Sequence, residues 1–139
     1  MSVEENKATL RKYYDEIFNK GDLSHWSEMV DDTYVMKVVG GQELKGLDGA
    51  KQTQAQRAFS PDMTVSIDEM VAEGDIVFIR GEFTGTNTGE YQGMGPTGKK
   101  FVRAFAASYK FKDGKIVGGW ALHDLLGFYQ QLGMSPPGG

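Results

Sequence analysis

Hydrophobic residues recur every three or four positions across residues 4–20 and predict an amphipathic helix. Gly21 follows the last of these positions and is a natural stop for the helix. A shorter amphipathic helix is predicted over residues 23–30 and a third over residues 47–59. The third should end there because Pro61 disfavours a helical conformation at Ser60.

Apolar and polar residues then alternate with a period of two, which is typical of strands with one buried face. The pattern predicts strands over residues 63–67, 76–86, 101–111 and 115–122, after a short strand over residues 34–39. Asp113-Gly114 is a strong hairpin signal, and residues 125–132 predict a last short helix. Helices followed by antiparallel strands indicate an α+β fold, with N-terminal helices packed on a curved, mainly antiparallel sheet that encloses a cavity.

Composition narrows the class of protein. The 139 residues fit one domain, residues 1–134, followed by a flexible tail over residues 135–139. A net charge of -4 argues against nucleic acid as a partner. The absence of cysteine excludes disulfides and thiolate sites, and with only two histidines we expect no metal site. The charged N-terminus and the absence of a long apolar run predict a cytoplasmic protein with no membrane partner.

Asp124 is the strongest candidate for chemistry. Alternation along the last strand places Trp120 and Leu122 on the same face as Asp124, and His123 on the opposite face. Apolar neighbours would raise the pKa of the Asp124 carboxyl towards values useful for a general base. The alternative is that Asp124 only caps the helix that follows it.

Three further positions are open to two interpretations each. Arg80 either forms an ion pair with Glu82 or across strands, or anchors an anionic or carbonyl oxygen in the cavity. Lys37 either anchors an oxygen of the ligand in the cavity in the same way or lies at a solvated strand edge. The glycine-rich residues 87–98 lack the ending of a phosphate loop, so we predict a lid or turn at the cavity mouth, where Met94 would touch a ligand.

Five short segments support a resemblance over nearly the whole chain. They are KYYDEIFNKGDL (residues 12–23), GTNTG (85–89), PTG (96–98), DGKIV (113–117) and QQLG (130–133). The same segments occur in the same order in SnoaL-like ester and polyketide cyclases, and the chain resembles that family of the NTF2-like superfamily.

The resemblance implies a cone-shaped α+β barrel with a deep cavity, and homodimers formed through the outer face of the sheet. It implies ring closure of a hydrophobic carbonyl substrate by intramolecular aldol chemistry, without a metal or an organic cofactor. The acidic residue after the tryptophan of the last strand is the acid/base in the family, and Asp124 matches it. The residues that we expect to bind the substrate are Tyr14, Lys37, Phe59, Arg80, Met94, Phe105 and Trp120.

The chain also departs from the family. Many relatives carry a histidine where this chain has Lys37, and often another where it has Ala107. The loss of these polar positions favours a second hypothesis, a small-molecule-binding domain without catalysis. A third hypothesis is another acid/base enzyme on the same fold, such as an isomerase or an epoxide hydrolase.

Overall fold

The computed structural model describes residues 2–90, 93 and 95–135. Within these residues the chain forms four helices, one π-helical segment and six strands. The helices are α1 (Val3–Tyr13), α2 (Trp26–Met29), α3 (Asp48–Phe59) and α4 (Leu125–Leu132), and the π-helical segment, Tyr14–Asn19, continues α1. The strands are β1 (Val30–Val38), β2 (Glu43–Lys45), β3 (Thr64–Glu73), β4 (Ile76–Thr86), β5 (Lys100–Lys112) and β6 (Lys115–His123).

All six strands belong to one mixed sheet in the order β2-β1-β6-β5-β4-β3. The β1/β6 pair is parallel and the other neighbouring pairs are antiparallel. Strands β2 and β3 remain edges, so the sheet does not close. The predicted α+β architecture with a mainly antiparallel sheet is therefore confirmed.

The first predicted helix has two parts. Ser2 begins α1 with a capping box, in which its hydroxyl accepts a hydrogen bond from the Glu5 amide at 3.1 Å. From Tyr14 the hydrogen bonding widens to a π-helix, which ends before Gly21 as expected. The three-residue strand β2 was not predicted, because so short a segment carries no measurable alternation. Of the predicted tail, residues 136–139 lie outside the described residues.

Alternation gives the sheet two different faces. The inner face carries fully buried residues such as Val77, Ile79 and Phe83, which belong to one hydrophobic core with Leu10 of α1 and Ile17 of the π-helical segment. The outer face keeps large apolar side chains exposed, including those of Val35, Val102, Trp120 and Leu122. The helices thus cover one face of the sheet, and the functional site is expected beneath them.

Two side-chain amides fix the segments around this inner face. Gln131 of α4 accepts a hydrogen bond from the Val102 amide at 2.7 Å and donates one to the Val102 carbonyl at 2.8 Å, which attaches α4 to β5. Buried Asn87 accepts from the Thr97 amide at 2.8 Å and donates to the Phe59 carbonyl at 3.3 Å.

No helix in the described part of the chain is long and apolar enough to cross a membrane.

Candidate ligand-binding cavity

A cavity of about 500 Å³ lies between the inner face of the sheet and the helices. Its size is within the range of small-molecule sites. Aromatic residues dominate its lining: Tyr13, Tyr14, Phe18, Tyr34, Phe59, Phe83, Phe101, Phe105, Tyr109, Phe128 and Tyr129. The cavity therefore favours a ligand with a large apolar surface, and the few polar groups among these rings decide its chemistry.

Four of the five tyrosines of the lining, namely Tyr13, Tyr14, Tyr34 and Tyr109, lie close to one another. The hydroxyl groups of Tyr14 and Tyr109 are hydrogen-bonded at 2.5 Å. Burial raises the pKa of Tyr13, Tyr14 and Tyr109 well above the usual value, and raises that of Tyr34 to about 12. These phenols are neutral at physiological pH and act as hydrogen-bonding groups.

Arg103 brings a positive charge into this apolar lining. Its side chain projects from the inner face of β5 and is 8% exposed. The guanidinium carbon lies 4.6 Å from the centre of the Phe83 ring and 5.1 Å from that of Phe128. Nη2 donates a hydrogen bond to Gln56 Oε1 at 3.2 Å, whereas buried Nε has no acceptor among the described residues.

The surroundings of Arg103 do not balance its charge. Burial lowers the pKa of Arg103 to about 10, so the guanidinium is still protonated at neutral pH. The effective cost of burying an ion is several kcal/mol, whereas a cation–π contact contributes about 0.5–2 kcal/mol. Among the residues that the structure describes, none of the carboxylates is in ion-pair contact with Arg103, and the cavity lining contains no aspartate or glutamate.

His123 is the second titratable group of the lining outside the tyrosines. Its ring stacks on Phe105 with the centroids 5.7 Å apart and lies 5.6 Å from the ring of Phe83. Burial, together with the positive charge of Arg103, lowers the pKa of His123 to about 3, so the imidazole is neutral. Nδ1 is buried without a hydrogen-bond partner in the described structure, so this nitrogen is available to a ligand that supplies one.

Three of the predicted binding residues line this cavity. Tyr14 reaches it from the π-helical segment, Phe59 from the end of α3 and Phe105 from the inner face of β5. Their positions agree with the sequence pattern, because each belongs to the apolar face of its element. The structure thus brings together the aromatic part of the predicted site.

The structure corrects the expected orientation of three others. Trp120 lies on the outer face of β6, 40% exposed, with its ring 6.2 Å from that of Phe78. Arg80 is exposed and donates to Glu69 at 2.7 Å, which is the cross-strand ion pair given as its alternative. Lys37 is exposed and is paired in register with Trp120. All three occupy strand positions whose side chains point away from the helices, and none lines the cavity.

Asp124 also lies outside the cavity lining. Its exposed carboxylate caps α4 by accepting a hydrogen bond from the Gly127 amide at 2.9 Å. Trp120 and Leu122, which were predicted to share its face, are exposed to solvent, and Asp124 itself follows the end of β6. The expected apolar setting around the carboxylate is therefore absent in this structure, and the alternative of a helix cap describes its geometry.

The glycine-rich loop is described only in part. Met94 lies outside the described residues, so its predicted ligand contact stays a prediction. Within the described residues of the loop, Asn87 organises the turn through Thr97 and Gly89. None of these residues lines the cavity.

Sequence reasoning missed Arg103 and His123, the described titratable residues of the cavity lining other than its tyrosines. Arg103 stands two positions from Phe105 on β5, so alternation places both side chains on the same face. His123 was assigned to the face opposite Trp120, which is the inner face. In both strands the alternation assigned residues to the two faces correctly, but it did not show which face the helices cover.

A group of possible metal ligands lies elsewhere. Glu16, Asp22 and His25 bring one ligand atom each within 4.8 Å of one another. Glu16 is already engaged, since it is hydrogen-bonded to His25 and lies 3.7 Å from Lys12 Nζ. None of the three lines the cavity.

Comparisons with known proteins agree with this architecture. The family model described as SnoaL-like polyketide cyclase matches residues 8–132. AclR of Streptomyces galilaeus, a candidate hydroxylase, is 27% identical with a TM-score of 0.85, covering 97% of this chain and 89% of its own. IdmH of Streptomyces antibioticus, a candidate polyketide cyclase, is 29% identical with a TM-score of 0.81. The match covers 93% of this chain and 99% of IdmH.

A third structure supports the fold alone. It is a candidate SnoaL-like cyclase from Jannaschia, 20% identical with a TM-score of 0.86, covering 96% of this chain and 95% of its own. No curated protein matches the chain. The predicted NTF2-like fold is therefore confirmed by structural similarity.

Proposed function

Because the chain belongs to the family of SnoaL-like polyketide cyclases, we propose that it is an enzyme that closes a ring in a hydrophobic carbonyl compound. The proposed reaction is an intramolecular aldol addition with acid/base catalysis, and it requires neither a metal nor an organic cofactor. The observation that carries the proposal is the aromatic cavity in which a neutral imidazole and a guanidinium lie close together.

The reaction begins at a carbon between two carbonyl groups of the substrate. His123 accepts a proton from this carbon, and the resulting enolate carbon attacks a second carbonyl carbon of the same molecule. The new carbon–carbon bond leaves an alkoxide, which takes a proton back from the imidazolium. Arg103 donates a hydrogen bond to the enolate oxygen, and its charge stabilises the negative charge that develops there.

The cavity itself contributes by folding the substrate into a reactive conformation. Holding two reacting carbons in contact is worth ~7–11 kcal/mol in favourable cases. The rings of Phe59, Phe83 and Phe105 offer flat apolar surfaces for this purpose. The phenol pair of Tyr14 and Tyr109 would orient a carbonyl oxygen by hydrogen bonding.

Asp124 is the second candidate for the base, as the family resemblance implies. Its carboxylate follows His123 directly in the chain, at the junction of β6 and α4. To reach a substrate, the side chain would have to leave the Gly127 amide and turn towards the cavity. This rearrangement distinguishes the two candidates, since His123 lines the cavity without it.

A binding domain without catalysis is the alternative function. One observation favours it: none of the described lining residues is a carboxylate, and Asp124 has a structural task as a helix cap. Under this alternative, hydrophobic ligands occupy the same cavity and are released unchanged.

Deuterium uptake at the acidic carbon of aromatic and aliphatic β-keto esters tests the proposal. Exchange reports proton removal and does not depend on the substrate that closes a ring. We expect wild type to accelerate exchange above the buffer rate. His123→Gln should lose at least a hundredfold of that acceleration, in line with the usual contribution of a general base, ~10²–10⁴-fold.

Two further variants assign the base. His25→Gln is the matched control, because it removes the other histidine, which lies outside the cavity, and should keep the rate. Asp124→Asn should keep most of the rate if His123 is the base, and lose it if Asp124 is. Ligand binding with exchange at the buffer rate for every ester would favour the binding domain.

A further inference from the structure

Arg103 places a buried positive charge in a cavity that offers it no counterion. From this geometry we infer that the cavity takes a hydrophobic molecule carrying a singly charged oxyanion, either a carboxylate or an ionised enol, and discriminates against its neutral ester. The inference rests on the proposed function only in taking the cavity as the ligand site. It holds equally for an enzyme and for a binding domain.

The position of Arg103 is fixed by the fold. Its Cα lies on β5 opposite Phe83 of β4, and the guanidinium is held between the rings of Phe83 and Phe128. With 8% of the residue exposed, the side chain is buried where it makes these contacts. The charge therefore belongs to the cavity in the folded protein.

The hydrogen-bond inventory of Arg103 is incomplete. A guanidinium carries five N–H donors on three nitrogen atoms. Nη2 donates to Gln56, whereas Nε has no acceptor among the described residues. No described carboxylate is in ion-pair contact with it, and the residues outside the description include no aspartate or glutamate side chain. The missing negative charge is expected to come from the bound molecule.

The remainder of the lining defines the rest of the ligand. Aromatic rings surround the guanidinium, and together they favour a flat, hydrophobic skeleton. An oxyanion on that skeleton accepts charge-assisted hydrogen bonds from Arg103. A neutral ester accepts a weaker hydrogen bond and leaves the buried charge uncompensated.

The pKa of His123 should respond to an oxyanion bound to Arg103. The positive charge of Arg103 is one of the two causes that lower the pKa of His123. A bound oxyanion offsets this charge, so the pKa of His123 should rise when the anion binds. A neutral ligand of the same shape adds only further burial and should not raise it.

Calorimetric binding of 2-naphthoate and of methyl 2-naphthoate at pH 7 tests the inference without any variant. Both probes are flat and apolar and differ in the charge of one group. A charge-assisted hydrogen bond corresponds to roughly 10- to 100-fold in affinity. We expect the acid to bind wild type at least tenfold more tightly than the ester, and equal affinities would overturn the inference.

Two methionine variants locate the preference. Arg103→Met removes the charge with little change in side-chain volume and should bring the affinity ratio of acid to ester to about one. Arg80→Met is the matched control, because Arg80 is paired with Glu69 on the outer face and should keep the full preference. A preference that survives in folded Arg103→Met protein would overturn the inference. If that variant does not fold, Arg103→Lys should retain part of the preference.

A second pair of measurements separates the two sources of the oxyanion. 2-Phenylindane-1,3-dione, ionised at neutral pH, represents the enol, and tighter binding than 2-naphthoate would assign the site to an enolate rather than a carboxylate. The His123 ring signals should titrate at higher pH with either anion bound, with those of His25 unchanged. Because none of the probes reacts, a failed deuterium exchange would leave this inference standing, and equal binding of acid and ester would leave the proposed chemistry standing.

Discussion

At the scale of single residues, the site depends on two groups whose pKa values are lowered by the same environment. Burial lowers the pKa of Arg103 to about 10 and that of His123 to about 3, and the charge of Arg103 adds to the effect on His123. Arg103 remains charged and His123 remains neutral across physiological pH. A cation beside a neutral imidazole suits the stabilisation of an oxyanion, and the negative charge of that oxyanion would raise the pKa of His123 towards the range of a general base.

The partly buried imidazole of His123 makes the stability of the fold sensitive to acid. Between pH 6.5 and 3 the unfolded chain protonates His123 and the folded chain does not, so the free energy of unfolding falls as the pH is lowered through this window. At pH 5 the loss from this residue is about 2 kcal/mol relative to neutral pH. Urea unfolding at pH 7 and pH 5 should show that His123→Gln removes this part of the pH dependence.

His25 provides a control of opposite sign for that measurement. Its hydrogen bond and ion pair with Glu16 raise the pKa of His25, so its contribution to stability is present below pH 6.5 and is lost as the pH rises through the folded pKa. His25→Gln should therefore increase the loss of stability on acidification. An unchanged pH dependence in His123→Gln would contradict the assigned burial.

At the scale of secondary-structure elements, the junction between β6 and α4 determines what Asp124 is able to do. Its carboxylate occupies the N-cap of α4, and a Cβ on Gly127 would lie 2.2 Å from Asp124 Oδ2. The cap fits because Gly127 has no side chain. The sequence predicted this helix over its full length and gave the cap as one of two interpretations. It could not decide between them, because an aspartate before a helix is compatible with both.

Two substitutions separate the cap from the chemistry. Asparagine caps a helix about as well as aspartate, so Asp124→Asn should change the free energy of unfolding by less than about 0.5 kcal/mol. Asp124→Ala removes the acceptor and should cost ~1 kcal/mol. Urea unfolding at pH 7 measures both, and equal losses in the two variants would contradict the cap.

At the scale of the whole molecule, the outer face of the sheet carries a group of exposed apolar side chains that the proposed site does not explain. Trp120 and Leu122 are 40% and 49% exposed on β6, and Val102 and Val35 extend the surface to the neighbouring strands. The family resemblance implies a homodimer through this face, and burial of such side chains is a usual basis for subunit association. The exposed side chains that were expected in the cavity are thus available for an interface.

Sedimentation equilibrium tests the dimer directly. We expect wild type to sediment as a dimer at micromolar concentration and Leu122→Glu as a monomer, because a charge would have to be buried in the interface. Leu126→Glu is the matched control, since Leu126 is an exposed leucine of α4 and does not belong to a strand of the sheet. A monomeric wild type, or a control that dissociates equally, would contradict this interface.

The sequence by itself determined the order of the elements other than β2 and the two faces of each strand, because periodicity and turn signals are local properties. Tyr14, Phe59 and Phe105 were expected in the cavity together with the family resemblance, not from periodicity. It did not determine which face of the sheet the helices cover, since alternation is symmetric with respect to the two sides. Only tertiary packing made that choice and placed Trp120 outside. The parallel pairing of β1 with β6, and the proximity of Arg103 on β5 to His123 on β6, likewise depend on contacts between distant segments. No local pattern encodes these contacts.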